Sequence, residues 1–268
     1  MRFVLALLSV LCLSSCEPNK EEPYLPTLFK VNIKTNYYKK AEYFKYNVSY
    51  GLLNPGVLTI ETLPTLTSFE NKTCYSSKVN LQLSGITGWL TSLNNSYHSI
   101  IDTASYLPCS FSRQIQENKY RKLEYTVFER DSARAVVKDT TNSENPKLKH
   151  FHIKHDIDDM VSCFYLLRNI PFETMNKGDF VTIDVFMEDH SYNIRFKYIG
   201  ETEIKLKKKK YNTIIVAPIL PENNILSGDF PAKIYLTNNE EKIPLLMEVK
   251  LIVGTMEMTL EDYKQRGS

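Results

Sequence analysis

The densest group of metal-ligating side chains in the chain is His150-x-His152-x-x-His155-Asp156. On an extended strand His150 and His152 share one face, and neutral imidazoles with a carboxylate can bind Zn²⁺. The order is not the His-x-His-x-Asp-His pattern of metallohydrolases. Solvated histidines at a strand end are therefore the simpler reading, and no metal or other cofactor is expected. A second group gathers around one helix, with Asp158, Asp159 and Arg168. Asp159 and Arg168 are too far apart for an i,i+4 pair. Arg168 instead suits a bidentate grip on a carboxylate from a sheet, with Asp102 as the candidate, or on the anionic group of a ligand. The run Lys207–Lys210 reads as a hairpin tip. No nucleophile elbow, phosphate loop or dinucleotide fingerprint occurs, so no catalytic residue is assigned and an enzyme is not expected.

The N-terminus has chemistry of another kind. Met1-Arg2 is followed by the apolar run Phe3–Leu13 and then by Ser14-Ser15-Cys16. That apolar length fits a signal-peptide core and is short of the roughly 20 residues a membrane helix needs. Leu13-Ser14-Ser15-Cys16 resembles the bacterial lipobox, in which the Cys thiol receives diacylglycerol before cleavage. Residues 1–15 are thus read as a lipoprotein signal peptide, 16–26 as an acylated flexible tether rich in Pro and charge, and 27–268 as one β-rich domain. Lys20-Glu21-Glu22 looks like a signal for display on the outer face of an outer membrane. The expected address is a Gram-negative cell envelope, anchored in the outer membrane and either periplasmic or surface-exposed. Of five cysteines, Cys12 leaves with the signal and Cys16 is acylated. Cys163 falls in an apolar helical pattern and is read as a buried thiol. A Cys74–Cys109 disulfide is possible in an oxidising compartment.

The elements that must carry these groups are mostly strands. Tyr192, Ile194, Phe196 and Tyr198 alternate with polar residues, as do Val181, Ile183, Val185 and Met187 one strand earlier, with a turn at Asp189-His190-Ser191. Such period-two alternation marks strands with one buried face. Further strands are expected at 43–50, 57–62, 120–128, 214–219, 234–236 and 245–253, with a last one at 256–260. Two helices interrupt them, a short one over 86–93 and a clearer amphipathic one over about 156–170. In the second, Asp156 caps the start, Ile157, Met160, Val161, Phe164 and Leu167 make one apolar stripe, and Pro171 ends it. The fold class is mainly β with minor α: a curved antiparallel sheet, sandwich or partial barrel, with the helix in its concavity. The composition agrees. Aromatics are abundant, with 17 Tyr and 13 Phe against nine Gly. The near balance of 33 Lys+Arg and 31 Asp+Glu argues against nucleic acid as a partner.

Ser99–Pro108, Phe111-Ser112-Arg113, the Asp158–Arg168 segment, Gly200-Glu201-Thr202-Glu203 and Lys242-Ile243-Pro244-Leu245 follow one another in an order that resembles a secreted bacterial family catalogued as domain of unknown function 3108. The resemblance spans roughly residues 45–265 and carries no activity. It implies an open β half-barrel like that of lipoprotein carriers. The resulting expectation is a non-enzymatic, acyl-anchored envelope protein. Its curved sheet would bind an apolar ligand, a lipid or a partner protein, with the membrane held through Cys16. The alternatives are an envelope hydrolase, metal- or carboxylate-dependent, and a structural subunit of an envelope assembly.

Overall fold

This computed structural model describes residues 28–29, 38, 41–84, 92–220 and 226–266. The signal peptide, Cys16, the tether and most of the helix expected over 86–93 lie outside the described residues. At the end of that last segment Leu93 already belongs to a strand.

Among the described residues sixteen strands form one sheet. In chain order they are β1 (Leu28–Phe29), β2 (Glu42–Tyr50), β3 (Leu53–Thr62), β4 (Thr67–Phe69), β5 (Lys72–Leu83), β6 (Leu93–Asp102), β7 (Pro108–Glu117), β8 (Tyr120–Glu129), β9 (Arg134–Asp139) and β10 (Lys147–His152). A helix, α1 (Met160–Arg168), follows. Then come β11 (Phe180–Met187), β12 (His190–Leu206), β13 (Lys209–Pro218), β14 (Ala232–Thr237), β15 (Pro244–Lys250) and β16 (Thr255–Gln265). The sheet order is β1-β11-β12-β13-β14-β15-β16-β2-β3-β5-β6-β7-β8-β9-β10, with β4 beside β5. Every pairing between neighbouring strands is antiparallel except β1 with β11. The chain's first and last long strands meet in the middle, where β16 pairs with β2.

Alternation decides which side chains face inward. In β2 Glu42, Phe44, Tyr46 and Val48 are buried and their neighbours are not. In β12 Ile194, Phe196 and Tyr198 do the same. The β11–β12 hairpin turns one residue earlier than the sequence pattern suggests, at Glu188 and Asp189, with φ of 52° and 67°. Two positive φ values match the right-handed twist of the flanking strands. Lys207, with φ of 54°, and Lys208 make the two-residue β12–β13 tip. The long strand β12 bends at Gly200, where the register shifts. There φ is +129° and a side chain would run into Lys177, so the bend requires glycine.

The sheet curls but does not close through backbone bonds. β10 and the part of β11 beyond its short pairing with β1 come together through side chains. Phe151 and Phe128 pack on Phe186, at 5.5 and 6.2 Å between ring centroids. Lys149 pairs with Asp189, and Lys154 with Asp184 at 2.6 Å. The chain after β10 also crosses this seam. Asp158 donates its N–H to Asp184 O and accepts from Phe186 N, a parallel bridge to β11.

That bridge explains why α1 is shorter than the expected 156–170. The chain turns at His155 and Asp156 and then bridges to β11 at Asp158, so Asp159, and not Asp156, caps the helix. Its Oδ1 accepts from Val161 N and Ser162 N at 2.8 and 2.7 Å, and Ser162 Oγ accepts from Asp159 N, a reciprocal capping box. The expectation of an amphipathic stripe is also corrected. All nine residues of α1 except Phe164 are buried, because the sheet curls around the helix and leaves it no face to water.

The seam depends on Phe186, which is 2% exposed. Phe186→Ala should cost about 3–5 kcal/mol, read as a lowered urea midpoint. Amide exchange should speed up first in β10 and β11 and last in β2 and β16.

Candidate functional site

Two polar groups stand at the two ends of α1, each against the apolar core. At its C-terminal end Arg168 Nη1 and Nη2 donate to Glu42 Oε2 and Oε1 at 2.7 and 3.0 Å. Both side chains are fully buried. Arg168 also donates to the Glu241 carbonyl from Nε and Nη2, and its guanidinium lies 5.1 Å from the Phe44 ring centre. Tyr263 donates to Glu42 Oε1 at 2.6 Å. This is the bidentate carboxylate grip anticipated for Arg168, but the carboxylate is Glu42. Asp102 ends β6 instead, just before the turn into β7. There it accepts from Ala104 N and Ser105 Oγ, which pulls its carboxyl down against the opposing effect of burial.

At the N-terminal end of α1 two acids lie side by side. Asp159 Oδ2 accepts from Ser99 Oγ at 2.5 Å. Asp158 Oδ1 has no hydrogen-bond partner among the described residues. Burial pushes the Asp158 carboxyl well above the usual range, and the Asp159 charge adds to this while Ser162 and Arg130 oppose it. Burial raises Asp159 as well, against its hydrogen bonds from Ser99, Val161 and Ser162. Arg130 is the nearby cation. Its guanidinium donates to the carbonyls of His155, Ile157 and Pro108 at 2.9, 2.9 and 2.6 Å and lies 4.8 Å from the Phe128 ring centre. A tyrosine layer covers the acids. Tyr38 packs on Tyr165 and Tyr75 at 4.5 and 5.5 Å. The Tyr165 hydroxyl lies 2.8 and 3.1 Å from those of Thr62 and Ser77. Burial pushes the Tyr165 phenol up to about 12.

The remaining candidates are dispersed. His150, His152 and His155 are exposed on and just after the edge strand β10. Among the described residues no group of three or more His, Cys, Asp or Glu is placed to hold a metal ion, because strand alternation turns His150 and His152 outward to solvent. Cys74 and Cys109 are buried thiols with sulfurs 4.0 Å apart. Cys163 is buried in α1. At the seam, Arg113 contacts Glu124 and Glu188 at 2.5 and 2.7 Å, beside a cavity of about 10 Å³ with a mixed polar and apolar lining, room for one water.

Glu42, Arg130, Tyr38 and Ser99 escaped sequence reasoning. Glu42 carried a usable signal. It shares the inner face of β2 with Phe44, Tyr46 and Val48, and a charge in that register needs a buried partner. Arg130 had no such signal, because its partners are backbone carbonyls.

Fold and site together define a barrel-like β shell plugged by a buried helix that is fastened at both ends. The chain belongs to the family described as "Protein of unknown function (DUF3108)", whose model matches residues 45–261. No curated protein matches the chain. Among solved structures it is similar to a beta-barrel-like protein of domain of unknown function DUF1849 from Brucella abortus. That similarity has a TM-score of 0.53 and 10% identity and covers 84% of this chain and 97% of the other. At that identity the likeness is one of fold.

Glu42→Leu and Arg168→Leu alone should each cost about 3–5 kcal/mol by leaving a buried charge unpaired, and the double variant should cost clearly less than their sum. Urea unfolding of the four proteins measures this. Asp158 gives a pH test. Its folded pKa lies above its unfolded one, so the folded state holds the proton more tightly. The stability this carries is complete below about pH 4 and declines as pH rises toward the folded pKa. Asp158→Asn should therefore gain stability relative to the parent between about pH 4 and pH 7, read as a difference in melting temperature that grows with pH.

Proposed function

We propose that this protein is a non-enzymatic lipoprotein of a Gram-negative envelope. It is anchored in the outer membrane by acyl chains on Cys16 and engages its partner through the outside and rim of the shell. The lipobox-like Leu13-Ser14-Ser15-Cys16 supports the anchor. The observation that carries the binding mode is the filled concavity. α1, Tyr38 and the inner faces of β2, β5, β6 and β11 share one apolar core. A lipid or other apolar ligand would enter only by displacing a helix held by Glu42, Ser99 and the β11 edge. The reading without enzymatic activity is supported by the acids themselves. Asp158 and Asp159 are 2% and 0% exposed, so a substrate does not reach them, and a catalytic acid needs contact with its substrate.

Native mass spectrometry of the protein from its own host, combined with crosslinking in intact cells, tests this reading. The expected result is a mass equal to the acylated chain alone, with a crosslinked envelope protein. A further lipid bound stoichiometrically to the folded protein would overturn the filled-interior reading. Globomycin, which blocks lipoprotein signal cleavage, should leave an uncleaved precursor; a Cys16→Ser chain that is processed as before would overturn the anchor.

A further inference from the structure

One rim of the shell carries aliphatic side chains that the fold leaves in water. Leu52 is 100% exposed and Leu53 46%, at the β2–β3 turn. Ile252 and Val253 are 65% and 64% exposed, in the β15–β16 turn. The two turns lie side by side. β16 pairs with β2 so that Met256 faces Tyr50. Tyr50 faces Leu53 across its own hairpin, and Lys250 faces Thr255 across the other. A side chain on Gly254 would strike the Tyr50 hydroxyl, 2.5 Å from where its Cβ would stand, so Tyr50 ties one tip to the other. Gly51 and Gly254, with φ of +56° and +88°, supply the left-handed conformations that present these residues.

We infer that this paired tip is a membrane-inserting surface that takes the interfacial layer of a phospholipid bilayer. Single exposed leucines are ordinary, but four aliphatic residues on two joined tips form a patch of the kind that marks an interaction site. The tip projects from the end of the sheet, whereas a protein ligand for aliphatic side chains usually needs a concave pocket. No charged residue falls within 51–56 or 251–256, so insertion to the roughly 5–10 Å depth of the headgroup–acyl boundary would bury no charge from these turns. The proposed anchor allows this orientation. β1 joins β11 at Phe180 and Val181, and β11 continues to Met187 at the rim that carries the tip. That is about 23 Å of strand. The twelve residues from Cys16 to Leu28 span at most about 40 Å, so the acyl chains and the tip can reach one bilayer. The surface acts independently of the anchor.

The test uses the chain from residue 27, which holds every strand and α1 and lacks Cys16. It is mixed with vesicles of phosphatidylethanolamine and phosphatidylglycerol. The expected result is co-flotation that persists when salt is raised from about 0.1 to about 0.5 M, since the contact is apolar. Leu52→Asp with Ile252→Asp should lower the partition coefficient at least about tenfold. Leu123→Asp with Leu148→Asp, which alters exposed apolar residues elsewhere on the shell, should leave it unchanged. Circular dichroism and urea midpoints check that each variant folds. Hydrogen exchange of the unsubstituted chain needs no variant, and vesicles should protect 50–54 and 250–255 selectively. Absence of flotation would overturn the inference, as would equal loss in both double variants or binding that salt abolishes. A concentration-dependent dimer that Leu52→Asp disrupts without changing vesicle binding would assign the tip to a second copy of the chain.

Discussion

The buried ion pair between Arg168 and Glu42 fixes the relation between helix and sheet. Glu42 opens the central strand β2 and Arg168 closes α1, so one bidentate contact joins residues far apart in the chain. Its worth is mainly positional. Desolvating two charges offsets much of their attraction, but a helix placed elsewhere would leave both charges buried and unmatched. Tyr263 on β16 and the Glu241 carbonyl complete the coordination. The pair therefore also ties the last strand and the β14–β15 turn to the helix. Around it the core is mostly aliphatic and aromatic, with the acids at the other end of α1 and the Thr62, Ser77 and Tyr165 hydroxyls as further polar contacts that place the helix.

At the other end of α1 the balance differs. Asp159 is well satisfied as a cap, whereas Asp158 spends its backbone on the β11 edge and leaves one carboxyl oxygen without a hydrogen bond. Arg130 supplies positive charge at a distance while its donors go to carbonyls. The seam beside it is closed by Phe151, Phe186 and surface ion pairs instead of a continuous ladder. A sheet joined in this way has one weaker line, and the segment crossing it is the one that leads into the helix. Opening of the shell, where it occurs, would begin there.

A plugged interior with polar fastenings and an apolar rim distributes roles across the molecule. In the function proposed above, the inside keeps shape and the outside meets other molecules. The conspicuous chemistry of the sequence illustrates the separation. The histidines are solvent-facing residues of an edge strand, and the paired acids are structural members of a helix cradle.

Much of the architecture was legible along the chain. Alternation in β2, β11 and β12 identified the strands and their inner faces, because a strand's period is a local property of the backbone. The helix was legible too, though its limits were not. Asp158 looks helical by composition, yet β11 offers it two backbone bonds that no local pattern reveals. Strands β5 and β6 were passed over because Ser77, Asn80, Asn95 and Ser96 dilute their apolar alternation; the buried Ser77 and Ser99 hydroxyls face Tyr165 and Asp159. The sequence by itself determined the strand periodicity, the presence of the helix and the need of Arg168 for an anion. Only the tertiary structure decided that the anion is Glu42 and that Leu52 and Ile252 share one rim. Both depend on pairing β2 with β16, a contact between the two ends of the domain, and closure over that distance is set by packing of the whole sheet and by no local preference.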